Sequence, residues 1–136
     1  MAVKDIKSNL LQLVALNANI VTDVTTNGAI IDTADFELGL MFALFASVLS
    51  DGEYELVLEQ SEDATMSTGV TDISGDQLIG TLPTIDAVAG GGATIPTVGV
   101  ISNDRYVRAT IDSTNTSSGA FIYVLATEKA ENMPVT

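Results

Sequence analysis

Apolar and polar residues alternate along much of the chain, most regularly over residues 36–61. In the first half of this stretch every second residue is apolar: Phe36, Leu38, Leu40, Phe42, Leu44, Ala46 and Val48. A period of two places such residues on one face of a strand. Ser50-Asp51-Gly52 is a turn signal, and apolar residues alternate with glutamates beyond it. The pattern predicts a long β-hairpin with one buried face. A helix over residues 36–49 is the alternative, and it would be apolar nearly all round.

The first third of the chain contains two further strand candidates and a strong turn signal. Residues 10–17 alternate, with a short Leu-rich helix as the alternative, and residues 19–26 are rich in β-branched side chains. Asn27-Gly28 follows and is a strong hairpin signal. We therefore expect residues 28–32 to return as the partner strand.

The last third predicts a second hairpin, with arms at residues 105–112 and 120–127. Residues 61–103 carry most of the glycines and only short apolar groups, so we expect a long connection containing short strands. The whole pattern predicts an all-β fold, an antiparallel β-sandwich of the jelly-roll or a related Greek-key type. Residues 1–9 are expected to form a short N-terminal arm and residues 10–136 a single sandwich domain.

Composition excludes several classes of function. The chain has 136 residues, and 5 basic against 18 acidic residues give a net charge of -13. That charge repels nucleic acid and anionic membrane, so we expect neither as a partner. Cysteine and histidine are absent, which removes thiolate and imidazole chemistry. We expect no enzyme, cofactor or metal. The apolar run at residues 10–16 is shorter than the ~20 residues that span a bilayer, and we expect a protein made in the cytoplasm and unprocessed.

Two acidic groups are candidate sites that the sequence supports weakly. Asp32, Asp35, Asp51 and Glu53 lie near the ends of the predicted central hairpin. A glycosidase pair needs two acids facing each other across a cleft, and turn or solvated-edge roles are the better interpretation. Glu62, Asp63, Asp72 and Asp76 could offer oxygen ligands to calcium, but no D-x-D-x-D-G loop is present.

Two predicted strands are apolar on both faces, which points to a protein interface. On the last strand Phe121, Tyr123 and Leu125 face one way, while their neighbours on the other face are equally apolar. The second half of the central strand shows the same pattern. Such a strand is either central between covered layers or covered by another chain. We therefore expect a homo-oligomer. The candidate interface residues on these strands are Met41, Phe45, Leu49, Phe121 and Tyr123.

Arg105, Tyr106 and Arg108 form a second candidate interface segment. A structural role is favoured for Arg108, which would pair across strands with Glu53, Glu55 or Glu59 and stack on a tyrosine. The alternative is an interface anchor, because arginine and tyrosine are enriched in interfaces.

The order of four segments resembles a group of short virion proteins of tailed bacteriophages that are encoded among the head genes. The segments read SDGEYELVLEQSED (50–63), DQLIGT (76–81), VGVISNDRYVRAT (98–110) and SSGAFIYVLAT (117–127). The resemblance covers roughly residues 36–127. The chain differs from that group in its N-terminal third, in the loop at residues 90–97 and in its tail.

The resemblance implies a capsid decoration (cement) protein, a β-sandwich on the outside of the virion head that binds the major capsid protein and stabilises the lattice by interface burial. It implies assembly as trimers, with the N-terminal arm reaching over neighbouring capsid subunits and Lys4 and Lys7 meeting acidic capsid. A tail, neck or head-fibre component and a lectin-like glycan-binding sandwich are the alternatives. The lectin alternative needs exposed aromatic side chains in a concave site, whereas the three tyrosines are predicted on strand faces.

Overall fold

A computed structural model describes residues 12–36, 39–86 and 96–128 of the chain, so the predicted arm at residues 1–9 lies outside the described residues. The described residues are mostly strand. The strands are β1 (Gln12–Ile20), β2 (Thr25–Asp32), β3 (Leu40–Ser47), β4 (Glu53–Ser61), β5 (Thr71–Asp72), β6 (Leu78–Ile79), β7 (Thr84–Asp86), β8 (Thr97–Val100), β9 (Tyr106–Thr114) and β10 (Ala120–Glu128). Within these same residues, two short 3-10 helices cover Thr33–Asp35 and Gly75–Gln77.

The strands form two antiparallel sheets. Sheet A has the order β1-β10-β3-β8-β6, and sheet B has the order β2-β9-β4-β5 with β7 also paired to β4. Strands from the two ends of the chain are partners in a nested series: β1 with β10, β2 with β9, β3 with β8 and β4 with β7. This is the nested pairing of a jelly roll. The prediction of an all-β antiparallel sandwich is therefore confirmed.

The hairpin predicted over residues 36–61 is wrong, although both of its strands exist. β3 belongs to sheet A and β4 to sheet B, so the Ser50-Asp51-Gly52 turn leads from one sheet to the other. The predicted hairpin of residues 105–112 and 120–127 is wrong for the same reason, because β9 lies in sheet B and β10 in sheet A. Alternation specifies which side chains are buried but not which strand is the partner.

The turn predicted at Asn27-Gly28 is also wrong. β2 runs straight through both residues, and its pairing with β9 shifts register between Asn27 and Ile30. The reversal lies earlier, between β1 and β2. A Cβ added at Gly28 would lie 2.3 Å from the carbonyl oxygen of Ala15 in β1 and 2.8 Å from that of Ala109 in β9. Glycine is therefore needed here for close approach of three backbones within a bulge.

The core lies between the inner faces of the two sheets. Its fully buried large side chains come from central strands of both sheets: Phe42, Leu44, Ile122 and Val124 from sheet A, and Tyr54, Leu56, Leu58, Val107 and Ile111 from sheet B. Each set alternates along its strand with residues that point outward. The alternation found in the sequence is therefore the alternation between core and outer face.

Among the described residues, three connections between the sheets meet at one end of the sandwich: residues 21–24, 48–52 and 115–119. The Asp51 carboxylate binds the third connection, accepting hydrogen bonds from the Ser117 hydroxyl at 2.7 Å and the Gly119 N–H at 2.8 Å, and from two further N–H groups. Asp23 in the first connection accepts a hydrogen bond from the Thr116 N–H at 2.8 Å. Carboxylates thus hold the sheet-to-sheet connections together.

The close backbone approach at Gly28 yields the first prediction. Replacing Gly28 by alanine should lower the free energy of unfolding by about 2–3 kcal/mol, because the added methyl group overlaps backbone atoms that cannot move independently. Gly75→Ala is the matched control. Gly75 has φ +61 and nothing within 4 Å of an added Cβ, so only the left-handed backbone strain of about 1 kcal/mol applies. Urea denaturation measures both values, and equal losses would contradict the bulge.

The hydrogen bonds on Asp51 yield the second prediction. They hold the pKa of the Asp51 carboxyl far below its usual value, the Gly119 N–H contributing most and the Ser117 hydroxyl next. Their contribution to stability is therefore present above the ordinary aspartate pKa and is lost as the pH falls toward the lowered value. Asp51→Asn should lower the melting temperature at pH 7, and the difference from the parent protein should shrink below about pH 4. Calorimetry across pH measures this. The exposed Asp76 makes a control, and Asp76→Asn should leave the melting temperature nearly unchanged.

Candidate interaction surface

Four of the candidate interface residues come together on the outer face of sheet A. Met41 and Phe45 point outward from β3, and Phe121 and Tyr123 point outward from the neighbouring β10. Phe45 and Tyr123 are direct cross-strand partners, and their rings stack with centroids 5.2 Å apart and planes 14° from parallel. Such an aromatic pair adds to the favourable burial of apolar surface. The two strands judged apolar on both faces are thus neighbours in one sheet.

The apolar surface extends beyond β3 and β10 in both directions. Leu125 lies opposite Ala43 on one side and Val14 of β1 on the other. Beyond Met41, Gly99 of β8 pairs with Ile79 of β6 and leaves room for that side chain to lie over it. Val14 is 56% exposed, Ile79 47% and Phe121 40%. We call this surface the apolar face, and its members are Val14, Met41, Ala43, Phe45, Ile79, Phe121, Tyr123 and Leu125.

The residues that border the apolar face are polar but uncharged. Asn17 and Asn19 of β1 lie opposite Tyr123 and Phe121, and Thr127 lies opposite Met41. Ser47 and Thr97 complete the border on the other side. In a chain of net charge -13, a sheet face built from these residues differs sharply from the average surface. It has the composition of an interface core, where charged residues are depleted.

The outer face of sheet B has the opposite character. Acidic side chains predominate there, and we call this surface the acidic face, with members Glu53, Glu55, Glu59, Asp72, Asp86 and Asp112. Glu55 and Asp112 are direct partners in the β4–β9 pairing. Like charges directly opposite each other are destabilising unless water screens them. The two outer faces of one small sandwich therefore suit different surroundings: the apolar face suits contact with protein, and the acidic face suits contact with water.

The remaining candidate interface residues are not part of the apolar face. Leu49 packs against the core beyond the end of β3. Arg105, Tyr106 and Arg108 belong to sheet B or to the turn before it. The Arg105 guanidinium lies over the Tyr106 ring, 5.3 Å from its centroid. Lys4 and Lys7 lie outside the described residues.

Arg108 makes the cross-strand pair predicted for it. It lies opposite Glu59, and its Nη2 is 2.8 Å from Glu59 Oε1, which also accepts from Nε at 3.0 Å. The two side chains are 16% and 21% exposed. Thr110 donates a third hydrogen bond to the same oxygen. The tyrosine stacking foreseen for Arg108 is made instead by Arg105, which also pairs with Asp32 at 2.9 Å.

Two of the four carboxylates considered as catalytic candidates, those of Asp32 and Asp51, have structural partners. Asp32 pairs with Arg105, which lowers the pKa of that carboxyl, and it also accepts a hydrogen bond from the Ala34 N–H. Asp51 holds the connection at residues 117–119, as described above. The side chain of Asp35 lies outside the described residues. Turn and edge roles, favoured from the sequence, are thus the roles that Asp32 and Asp51 have.

Asp63, one of the four residues considered as calcium ligands, also has structural partners. The Asp63 carboxylate accepts hydrogen bonds from the N–H and hydroxyl groups of Thr65, Ser67 and Thr68. These donors occupy the lone pairs that a cation would need, and they lower the pKa of the carboxyl. Within residues 12–36, 39–86 and 96–128, no group of three or more acidic side chains could hold a metal ion. In the same part of the chain, no helix is long and apolar enough to cross a membrane.

The pairing of Arg108 with Glu59 yields a third prediction. Arg108→Ala should lower the free energy of unfolding by about 1–2 kcal/mol, because Glu59 is left half-buried without its partner, in an environment between a surface and a buried ion pair. Arg105→Ala is the matched control. Its side chain is 55% exposed, so the expected loss is below about 0.5 kcal/mol. Urea denaturation of both variants measures the difference, and equal losses would contradict the structural role of Arg108.

Comparison with known proteins adds no assignment to this surface. No family model matches the chain, and no curated protein matches it. The functional argument therefore depends on the chain's own residues and on the two outer faces that the fold builds from them.

Proposed function

We propose that the protein is a capsid decoration protein, which binds the outside of a tailed-phage head, contacts the major capsid protein and stabilises the shell by interface burial without catalysis. The resemblance of residues 36–127 to such virion proteins suggested this role. A protein of this kind needs a stable scaffold and surfaces made for other proteins. It needs no reactive group.

The observation that carries the proposal is the apolar face, because it is typical of a protein that assembles with other protein subunits. Soluble monomers rarely expose contiguous apolar surface of this kind, and larger patches mark interaction sites. Its centre is an aromatic pair, the residue type enriched in interface hot spots. Val14, Ile79 and Phe121 are exposed although the inner face of the same sheet fills the core. Cover by another protein surface would remove these side chains from water.

The acidic face supports a second requirement of the proposed role, which is that the decorated particles stay dispersed. A particle that carries many copies of a protein must remain dispersed, and net charge of one sign keeps proteins soluble. Glu53, Glu55 and Asp112 lie together on that face. A surface of this charge in contact with solvent would keep neighbouring particles apart.

The predicted N-terminal arm supplies the proposed contact with the shell. Lys4 and Lys7 are two of only five basic residues in the chain, and both lie among its first nine residues. An arm with this charge would meet acidic patches on the capsid, while the acidic body would not. The contact would weaken as salt screens it.

The test is to add the purified protein to expanded heads that lack it and to image the particles by electron microscopy. We expect regular density at symmetry axes of the whole lattice, and heads that withstand higher temperature. Density confined to one vertex would place the protein in the neck or tail, and absence of binding would contradict a role on the head. The double variant Lys4→Ala/Lys7→Ala should bind with a several-fold lower affinity at low salt. Lys129→Ala, which removes a basic residue near the other end, is the matched control and should bind like the parent.

A further inference from the structure

We propose that the apolar face is the contact between copies of this chain, and that it seats the same face of a second copy. The inference deepens the proposed function, because it assigns one partner to this surface and leaves the shell contact to other parts of the chain. Three properties of the face support a second copy as its occupant: its charge, its area and its arrangement of aromatic and polar residues.

Charge favours self-association through this face. Two copies with a net charge of -13 repel each other, and the repulsion is smallest where their charges are farthest apart. The apolar face and its border of Asn17, Asn19, Ser47, Thr97 and Thr127 carry no charge. If two copies meet there, both acidic faces point outward into solvent. A basic partner would find its charge complement on the acidic face instead.

The area suits a weak, reversible contact. Strands β1, β10 and β3 contribute about eight residues each and β8 contributes four, at a strand spacing of about 4.8 Å and a rise of about 3.3 Å per residue. The face therefore covers about 450 Å² per copy, or about 900 Å² for a pair, which lies in the range of weak or transient interfaces. Side chains standing on the sheet add to this flat estimate.

The arrangement suits a two-fold contact. Phe45 and Tyr123 form the centre, and uncharged side chains with donors and acceptors surround it. An isologous contact brings the same patch of both copies together, so aromatic centre meets aromatic centre and polar border meets polar border. Asparagine amides can donate to and accept from their equivalents in the other copy. The trimer that the resemblance implies would need two different patches on each copy.

Sedimentation velocity of the free protein over a range of concentrations tests the inference. We expect the parent protein to form a reversible oligomer. The variant Phe45→Lys should raise the apparent dissociation constant of that oligomer at least tenfold, so that the variant is a monomer at the same concentrations. Val57→Lys is the matched control, because Val57 points outward from the middle of β4 in sheet B. It should sediment like the parent. Phe121→Lys is a second test variant, since Phe121 is already 40% exposed and its replacement spares the core; circular dichroism shows that each variant is folded.

Cysteine cross-linking locates the contact without adding a charge. The chain contains no cysteine, so a single introduced thiol reacts alone. Ala43→Cys places it near the centre of the apolar face, and Val57→Cys places it at the centre of the acidic face. A short bis-maleimide should give covalent dimers with the first variant and about tenfold fewer with the second.

A monomer at all concentrations would overturn the inference, as would an oligomer that Phe45→Lys leaves intact or that cross-links through Val57→Cys. These outcomes are independent of head binding. An oligomer through the apolar face that does not bind heads would support the inference and contradict the proposed function. A protein that binds heads as a monomer would contradict the inference and support the proposed function.

Discussion

The structure depends on holding two sheets together at the end where residues 21–24, 48–52 and 115–119 connect them. Apart from β4 and β5, consecutive strands along the chain lie in opposite sheets, so local pairing contributes little and the connections must bring distant segments together. The Asp51 carboxylate does this by accepting hydrogen bonds from residues 117–119, at a sequence distance of 66–68 residues. Such charge-assisted bonds are among the stronger ones available to a small domain. The connection between β3 and β4 is thereby fixed to the one between β9 and β10.

This arrangement creates two outer faces of different character. Each central strand contributes its inner residues to one core, so the outer residues are free of the packing requirement and can suit other purposes. On β3 and β10 they are mostly apolar. On β4 they include three glutamates, and β9 adds Asp112 together with Arg108, which pairs with Glu59. The proposed functions of the two faces follow from that difference. A surface without charge favours close contact, and an acidic surface favours dispersion.

The sequence predicted the fold class and much of the burial pattern but not the strand pairing. The alternation in residues 40–47 and 53–61 correctly indicated strands, and Arg108 was correctly paired with a glutamate across the sheet. The hairpins were wrong because turn signals such as Asp51-Gly52 and Asn27-Gly28, like turn-rich segments in general, report where a backbone can turn or bulge and not which sheet follows. Val14 and Ile79 could not be assigned to the apolar face, since they join it only through partners far along the chain.

The sequence by itself determined an acidic, cysteine-free and histidine-free all-β chain whose strands have one face for the core. It also identified the two strands whose outer side chains are apolar. Only the tertiary structure decided that these strands are neighbours, that Phe45 stacks on Tyr123 and that the acidic residues gather on the other sheet. The physical reason is that side-chain periodicity is a local property of the backbone. Register and sheet membership, in contrast, follow from the packing of residues that are distant along the chain.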